Sequence, residues 1–124
     1  MNLKYLLLLA ILTFGMAACG DDEEEDPMTP DPMGCDTSDV TFTNGVQAIL
    51  DTNCTISGCH NDVDLANGFS METFDQAVVA GNFPSFFPAI NFESGFSPMP
   101  RGADQLAQCD IDILTAWSDA GFPE

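Results

Sequence analysis

Three stretches of this chain place apolar residues three and four positions apart, the spacing that gathers them on one face of a helix. Residues 43–53 predict the first helix, with Val46, Ile49 and Leu50 on its apolar side and Thr43 or Asn44 placed to cap its first turn. A second helix is expected to open at Ser70, with Glu72 suited to the positive end and Met71, Phe74 and Val78 turned inward. A third is expected over about 110–120. Asp110 and Asp112 favour its start, Ile113 and Trp117 share a face, and Gly121 followed by Pro123 stops it. No alternating run competes with these, so the expected fold class is all-α. Residues 62–68 and 81–104 read as loops, the second carrying Pro84, Pro88, Pro98 and Pro100. That loop also holds Phe83, Phe86, Phe87, Phe92, Phe96 and Ile90. Aromatics at such density need something apolar to cover, whether a partner, each other or a bound group.

The N-terminal residues follow another pattern. Lys4 precedes an apolar run from Tyr5 to Phe14, and small residues then lead to Cys19. The run is too short to span a bilayer, which takes roughly 20 apolar residues, and suits an export signal over 1–18. Met16-Ala17-Ala18-Cys19 resembles the bacterial lipoprotein cleavage signal, which implies that Cys19 becomes the lipidated first residue; an ordinary signal peptide cut nearby would leave it a free thiol. Residues 19–34 read as a linker: Asp21-Asp22-Glu23-Glu24-Glu25-Asp26 repel one another, and Pro27, Pro30 and Pro32 forbid a continuing helix. Extended, this segment reaches ~3 Å per residue. The folded domain is expected over 35–124, small enough that a cofactor or disulfide would supplement its core.

Charge narrows the partners. The chain carries 20 acidic residues, and once Lys4 leaves with the signal only Arg101 remains as a basic one. Nucleic-acid binding is therefore excluded, since it depends on Lys and Arg neutralising phosphates. The surface also repels anionic headgroups, so acyl chains would supply any hold on a membrane. The acidity can steer a basic partner, or simply keep a tethered protein solvated.

The chemistry concentrates in Cys54-Thr55-Ile56-Ser57-Gly58-Cys59-His60, two thiols followed at once by the only histidine. A cysteine pair ending in Cys-His is how c-type haem is held: the thiols add to its vinyl groups and the imidazole becomes an iron ligand. Here four residues separate the cysteines where two are usual. With the amphipathic segment Val46 to Asn53 running into Cys54, with Pro98-Met99-Pro100-Arg101-Gly102 shortly before the last helix, and with Ile113 to Gly121 as that helix, the chain resembles the single-haem cytochrome c domain found in small bacterial lipoproteins. The resemblance implies a small three-helix fold with long irregular loops around haem c, and attachment through Cys54 and Cys59. It further implies His60 as proximal ligand, Met99 as distal ligand and Trp117 packed across the first helix. It also implies electron transfer rather than catalysis, with a redox partner protein of unknown identity. The place of work would be the cell envelope, on an outer-membrane lipoprotein facing the periplasm or the cell surface. The family's glycine two turns before the first cysteine is Val46 here, with Gly45 one position earlier.

With Cys19 assigned to lipid and Cys54 and Cys59 to haem, Cys35 and Cys109 remain as a disulfide pair in an oxidising compartment. Other readings stay open. Cys54, Cys59, His60 and Cys109 have the ligand types of a zinc site. A Cys54–Cys59 disulfide would suit a haem-free binding or scaffold lipoprotein, leaving His60 on the surface and Met99 in the core. Met71 is a second candidate for distal ligand. Nothing marks out a catalytic group: there is one histidine and no nucleophile beside a second base.

Overall fold

The computed structural model describes residues 35–124. The expected signal sequence, the lipidation site Cys19 and the acidic linker lie outside the described residues. Within them the chain forms four α-helices and no strand, only an isolated bridge between Thr41 and Gly45. None of these helices is long and apolar enough to cross a membrane.

Helix α1 spans Val46–Asn53 and buries Val46, Ile49 and Leu50, the face expected from their spacing. Its start differs from expectation. Gly45 is the N-cap, with φ 117°, and no side chain caps the turn. The Thr41 hydroxyl engages the Asn44 N–H at 3.1 Å, while the Phe42 carbonyl accepts from the Gln47 N–H at 2.8 Å. Gly45 meets this bend in a backbone conformation costly for any residue with a Cβ, and a Cβ there would lie 3.5 Å from Ile113 Cγ2.

Helix α2 spans Phe74–Gly81, later than the expected opening at Ser70. Thr73 accepts from the Gln76 N–H at 3.4 Å, and the Gln76 side chain accepts from the Thr73 N–H at 2.9 Å. This reciprocal capping box satisfies two otherwise orphaned donors and sets the boundary. Met71 is buried as expected, but from the segment before the helix; Ala77, Ala80 and Gly81 are the buried residues on α2, with Phe74 and Val78 partly buried beside them.

Residues 81–104 are not wholly loop. Phe86–Ile90 forms α3, and Pro88 is tolerated because the first turn of a helix needs no donor there. Phe86 and Phe87 pack edge to face at 5.1 Å and Ile90 is buried, whereas Phe83, Phe92 and Phe96 stay more than a third exposed.

Helix α4 spans Gln108–Asp119 and buries Ile111, Leu114 and Trp117. Ile113 is only half-buried, set against Gly45, so the inward face is rotated from the one expected. The helix ends in a Schellman motif. Gly121 at φ 83° donates to the Ser118 carbonyl at 3.0 Å, and Phe122 donates to Trp117 at 2.9 Å.

Helices α1 and α4 pack together, as do α2 and α3. The centre of the core is Trp117, Leu50, Leu114 and Val46. Trp117 lies 6.2 Å from Phe42, just ahead of α1, and 4.7 Å from Phe122; its indole N–H donates to the Pro123 carbonyl at 2.8 Å. Cys35 and Cys109 form a disulfide with Cα atoms 5.2 Å apart, tying the start of the domain to α4.

Candidate functional site

The segment from Cys54 onward begins where α1 runs out. The Cys54 and Thr55 N–H groups both donate to the Leu50 carbonyl, at 2.8 and 2.9 Å, which closes the last turn. The chain then turns at Ile56-Ser57-Gly58, with Gly58 at φ 81° and the Cys59 N–H on the Ile56 carbonyl at 3.0 Å. The His60 N–H returns to the Cys54 carbonyl at 2.9 Å. The longer spacing is thus taken up by a closed loop hung from the C-terminal end of α1.

Asn61 and Asp64 hold that loop, and the sequence reading assigned neither a role. Asn61 is buried, at 8 % exposure. Its Nδ2 donates to the Ile56 carbonyl at 3.0 Å and to Asp64 Oδ2 at 2.8 Å. Its Oδ1 accepts from the Val63 and Asp64 N–H groups at 2.9 and 2.7 Å. Asp64 Oδ2 also accepts from the Gly58 N–H at 2.7 Å. Hydrogen bonds from Asn61 and the Gly58 N–H hold the Asp64 carboxyl below its ordinary value near 3.8.

Cys54 and Cys59 are both half-buried free thiols. The expected alternative of a Cys54–Cys59 disulfide is therefore not what forms. The zinc set also fails, because Cys109 is bonded to Cys35, and among the described residues no three His, Cys, Asp or Glu side chains gather as metal ligands. Burial, reinforced by repulsion from Cys59, pushes the Cys54 thiol up to about 12. At neutral pH it is protonated, the opposite of a thiolate poised for nucleophilic attack.

His60 is buried, at 7 % exposure, and does not lie on the surface. Its ring stacks on Phe69 at 4.2 Å with 22° between planes, and Phe69 meets Phe83 edge to face at 5.2 Å. The His60 carbonyl accepts from the Met71 N–H at 2.9 Å. Its Nδ1 is the only buried side-chain nitrogen or oxygen among the described residues without a hydrogen-bond partner. Leaving such an atom unsatisfied costs about 1–3 kcal/mol, so it points to a role beyond packing.

Met99 is half-buried against the core, and its N–H donates to the Ala89 carbonyl at 3.0 Å. That bond ties it to α3 rather than to the His60 loop. Met71 is almost wholly buried, at 4 %. Two shallow surface hollows, both bordered by Asp39 and Val40, involve none of Cys54, Cys59, His60 or Met99. The residues nevertheless fit a haem by their donor set: two unpaired thiols and a buried imidazole with an unsatisfied nitrogen, beside a row of aromatic rings. Phe69 carries no signal along the chain, because its value lies in the ring it stacks on. No protein-family model, curated protein or solved structure matches this chain.

Proposed function

We propose that this chain is an electron-transfer protein, an all-α domain of cytochrome c-like architecture that holds one haem c. Cys54 and Cys59 would form the thioether bonds, His60 would be the proximal ligand and Met99 the distal one. The observation that supports this best is the contrast among the cysteines. The same fold bonds Cys35 to Cys109 and leaves Cys54 and Cys59 free beside a buried imidazole whose Nδ1 has no partner. When bound, haem supplies one-electron chemistry at iron, its potential raised by methionine ligation relative to bis-histidine ligation. The chain's own part is to bind, orient and shield. Phe69 fixes the plane of the His60 ring, Phe83 buttresses Phe69, and the Met71 N–H anchors the His60 backbone. Lipidated Cys19 would anchor the domain to the cell envelope at an outer-membrane face, with residues 19–34 as spacer. The remaining partner is a redox protein, with no role for nucleic acid.

The test is a spectrum of the protein made in a host with cytochrome c maturation. Haem that resists acid-acetone extraction is expected, and a colourless, folded protein overturns the proposal. Met99→Ala should abolish the near-infrared sulfur-to-iron band of the oxidised form; loss of that band in Met71→Ala instead would move the distal ligand to Met71. Cys19→Ala should release the protein from the membrane fraction with haem intact.

A further inference from the structure

We propose that Asn61 and Asp64 form a clamp that keeps Cys54 and Cys59 from oxidising to a disulfide with each other, so that both thiols stay available. The purpose of the clamp rests on the haem reading, but its operation does not involve haem. Three observations carry it. Asn61 makes all four hydrogen bonds that a carboxamide can, two as donor and two as acceptor, from a buried position. A single oxygen, Asp64 Oδ2, collects both the Asn61 amide and the Gly58 N–H, so the two extra residues of the cysteine loop are pinned from outside it. The loop so fixed carries two unpaired thiols in a domain whose other two cysteines are bonded.

Disulfide formation needs a specific approach of the two Cβ atoms and a backbone free to provide it. Between Cys54 and Cys59 the carbonyl of Ile56 and the N–H of Gly58 are both held by the clamp. For the thiols to close on each other, those bonds must break. Asp64, Ile56 and Gly58 are exposed and can turn to water, but the buried Asn61 carboxamide, with every donor and acceptor engaged, would be left with an unpaired group. In an oxidising compartment the competing reaction is exchange with a disulfide. Two thiols become one protein disulfide, and the oxidant is reduced to two thiols, with no net change in protons. Thioether formation needs the opposite outcome: each S–H adds across a vinyl C=C, forming one S–C and one C–H bond with no oxidant consumed. The clamp favours the second fate by withholding the first.

The experiment titrates the haem-free full chain, made without cytochrome c maturation, against glutathione redox buffers. It reads the Cys54–Cys59 peptide by alkylation and mass spectrometry. Wild type should keep both thiols alkylatable in buffers where Cys35–Cys109 is intact. Asp64→Ala should form the Cys54–Cys59 disulfide at a glutathione ratio at least roughly tenfold more reducing. Asp64→Asn should behave as wild type, because its amide oxygen can accept both bonds. Circular dichroism and an intact Cys35–Cys109 bridge report the fold. If Asp64→Ala does not fold, Asn61→Asp decides, since it keeps the acceptor and removes both donors, and the same tenfold shift is expected. Equal titrations of wild type and the clamp-breaking variant overturn the clamp, as does a loss in Asp64→Asn equal to that in Asp64→Ala, or a wild type already closed to disulfide. Protected thiols in a chain that never binds haem would refute the haem reading and leave the clamp standing.

Discussion

Replacing Gly81 with alanine sets two opposing effects against each other at one buried position. Gly81 ends α2 with ordinary helical backbone, so alanine brings no conformational strain and, in a helix interior, favours the folded state by up to about 1 kcal/mol. Against this, a Cβ at Gly81 would lie 2.8 Å from Phe122 Cε1, 3.3 Å from Cζ and 3.7 Å from Trp117 Cζ3. Carbon atoms rest at about 3.5–4.0 Å, so the Phe122 ring must retreat. Its freedom to do so is small. The Phe122 N–H is bonded to Trp117, its φ is 60°, and its ring stands edge to face on Trp117, itself 1 % exposed. Forcing a methyl into such packing costs about 1–3 kcal/mol. The gain at a helix end is smaller than in an interior, so overpacking wins and the net loss should be about 1–2 kcal/mol. For a domain of this size that lowers Tm by roughly 4–16 °C. The assay is thermal and urea unfolding of the oxidised full chain, followed by Trp117 fluorescence. In a Phe122→Leu background the ring is gone, and the same change should become neutral or stabilising. A Tm that is unchanged or raised by Gly81→Ala in the wild-type background would refute the reasoning, as would a penalty that persists without the ring.

Four further outcomes are expected. Cys35→Ala with Cys109→Ala opens a loop with a sequence separation of 74, and urea unfolding should show a loss of ~2–4 kcal/mol. Thr73→Ala removes half of the capping box and should lower stability by about 1 kcal/mol, with Gln76→Ala giving less than an additive further loss. Because burial raises the Cys54 thiol to about 12 from an ordinary 9.0, the unfolded chain releases its proton first, and stability should fall as pH rises between those values. Cys54→Ala should flatten that limb. The lowered carboxyls of Asp36, Asp62 and Asp64 act at the other end: hydrogen bonds, led by those from the side chains of Ser38, Ser70 and Asn61 respectively, favour their charged forms. Their contribution is present above about 3.8 and is lost as acid protonates them in the folded state.

Much of the helical content was legible because it depends on periodicity within one segment. Val46, Ile49 and Leu50 face inward as their spacing implies, and Gly121 stops α4 as its freedom at positive φ implies. The pairing of Cys35 with Cys109 was reachable by assigning the other thiols, and the structure bears it out. The cysteine-histidine loop stood out as a site from residue types alone. What the sequence left undecided depends on which of several locally adequate partners wins. Thr43 and Asn44 could cap a helix, but the chain enters α1 through φ 117° at the N-cap, a conformation open to Gly45 and costly for a residue with a Cβ. Ser70 could start α2, but the Thr73–Gln76 exchange satisfies more donors. Pro88 suggested a loop, yet in a first turn it costs nothing, and Ile90 and the neighbouring phenylalanines gain by burial in α3. The bonds that join Asn61 and Asp64 to Val63, Ile56 and Gly58 span only two to six residues, but which of the polar side chains here closes on which backbone group is settled by the folded loop.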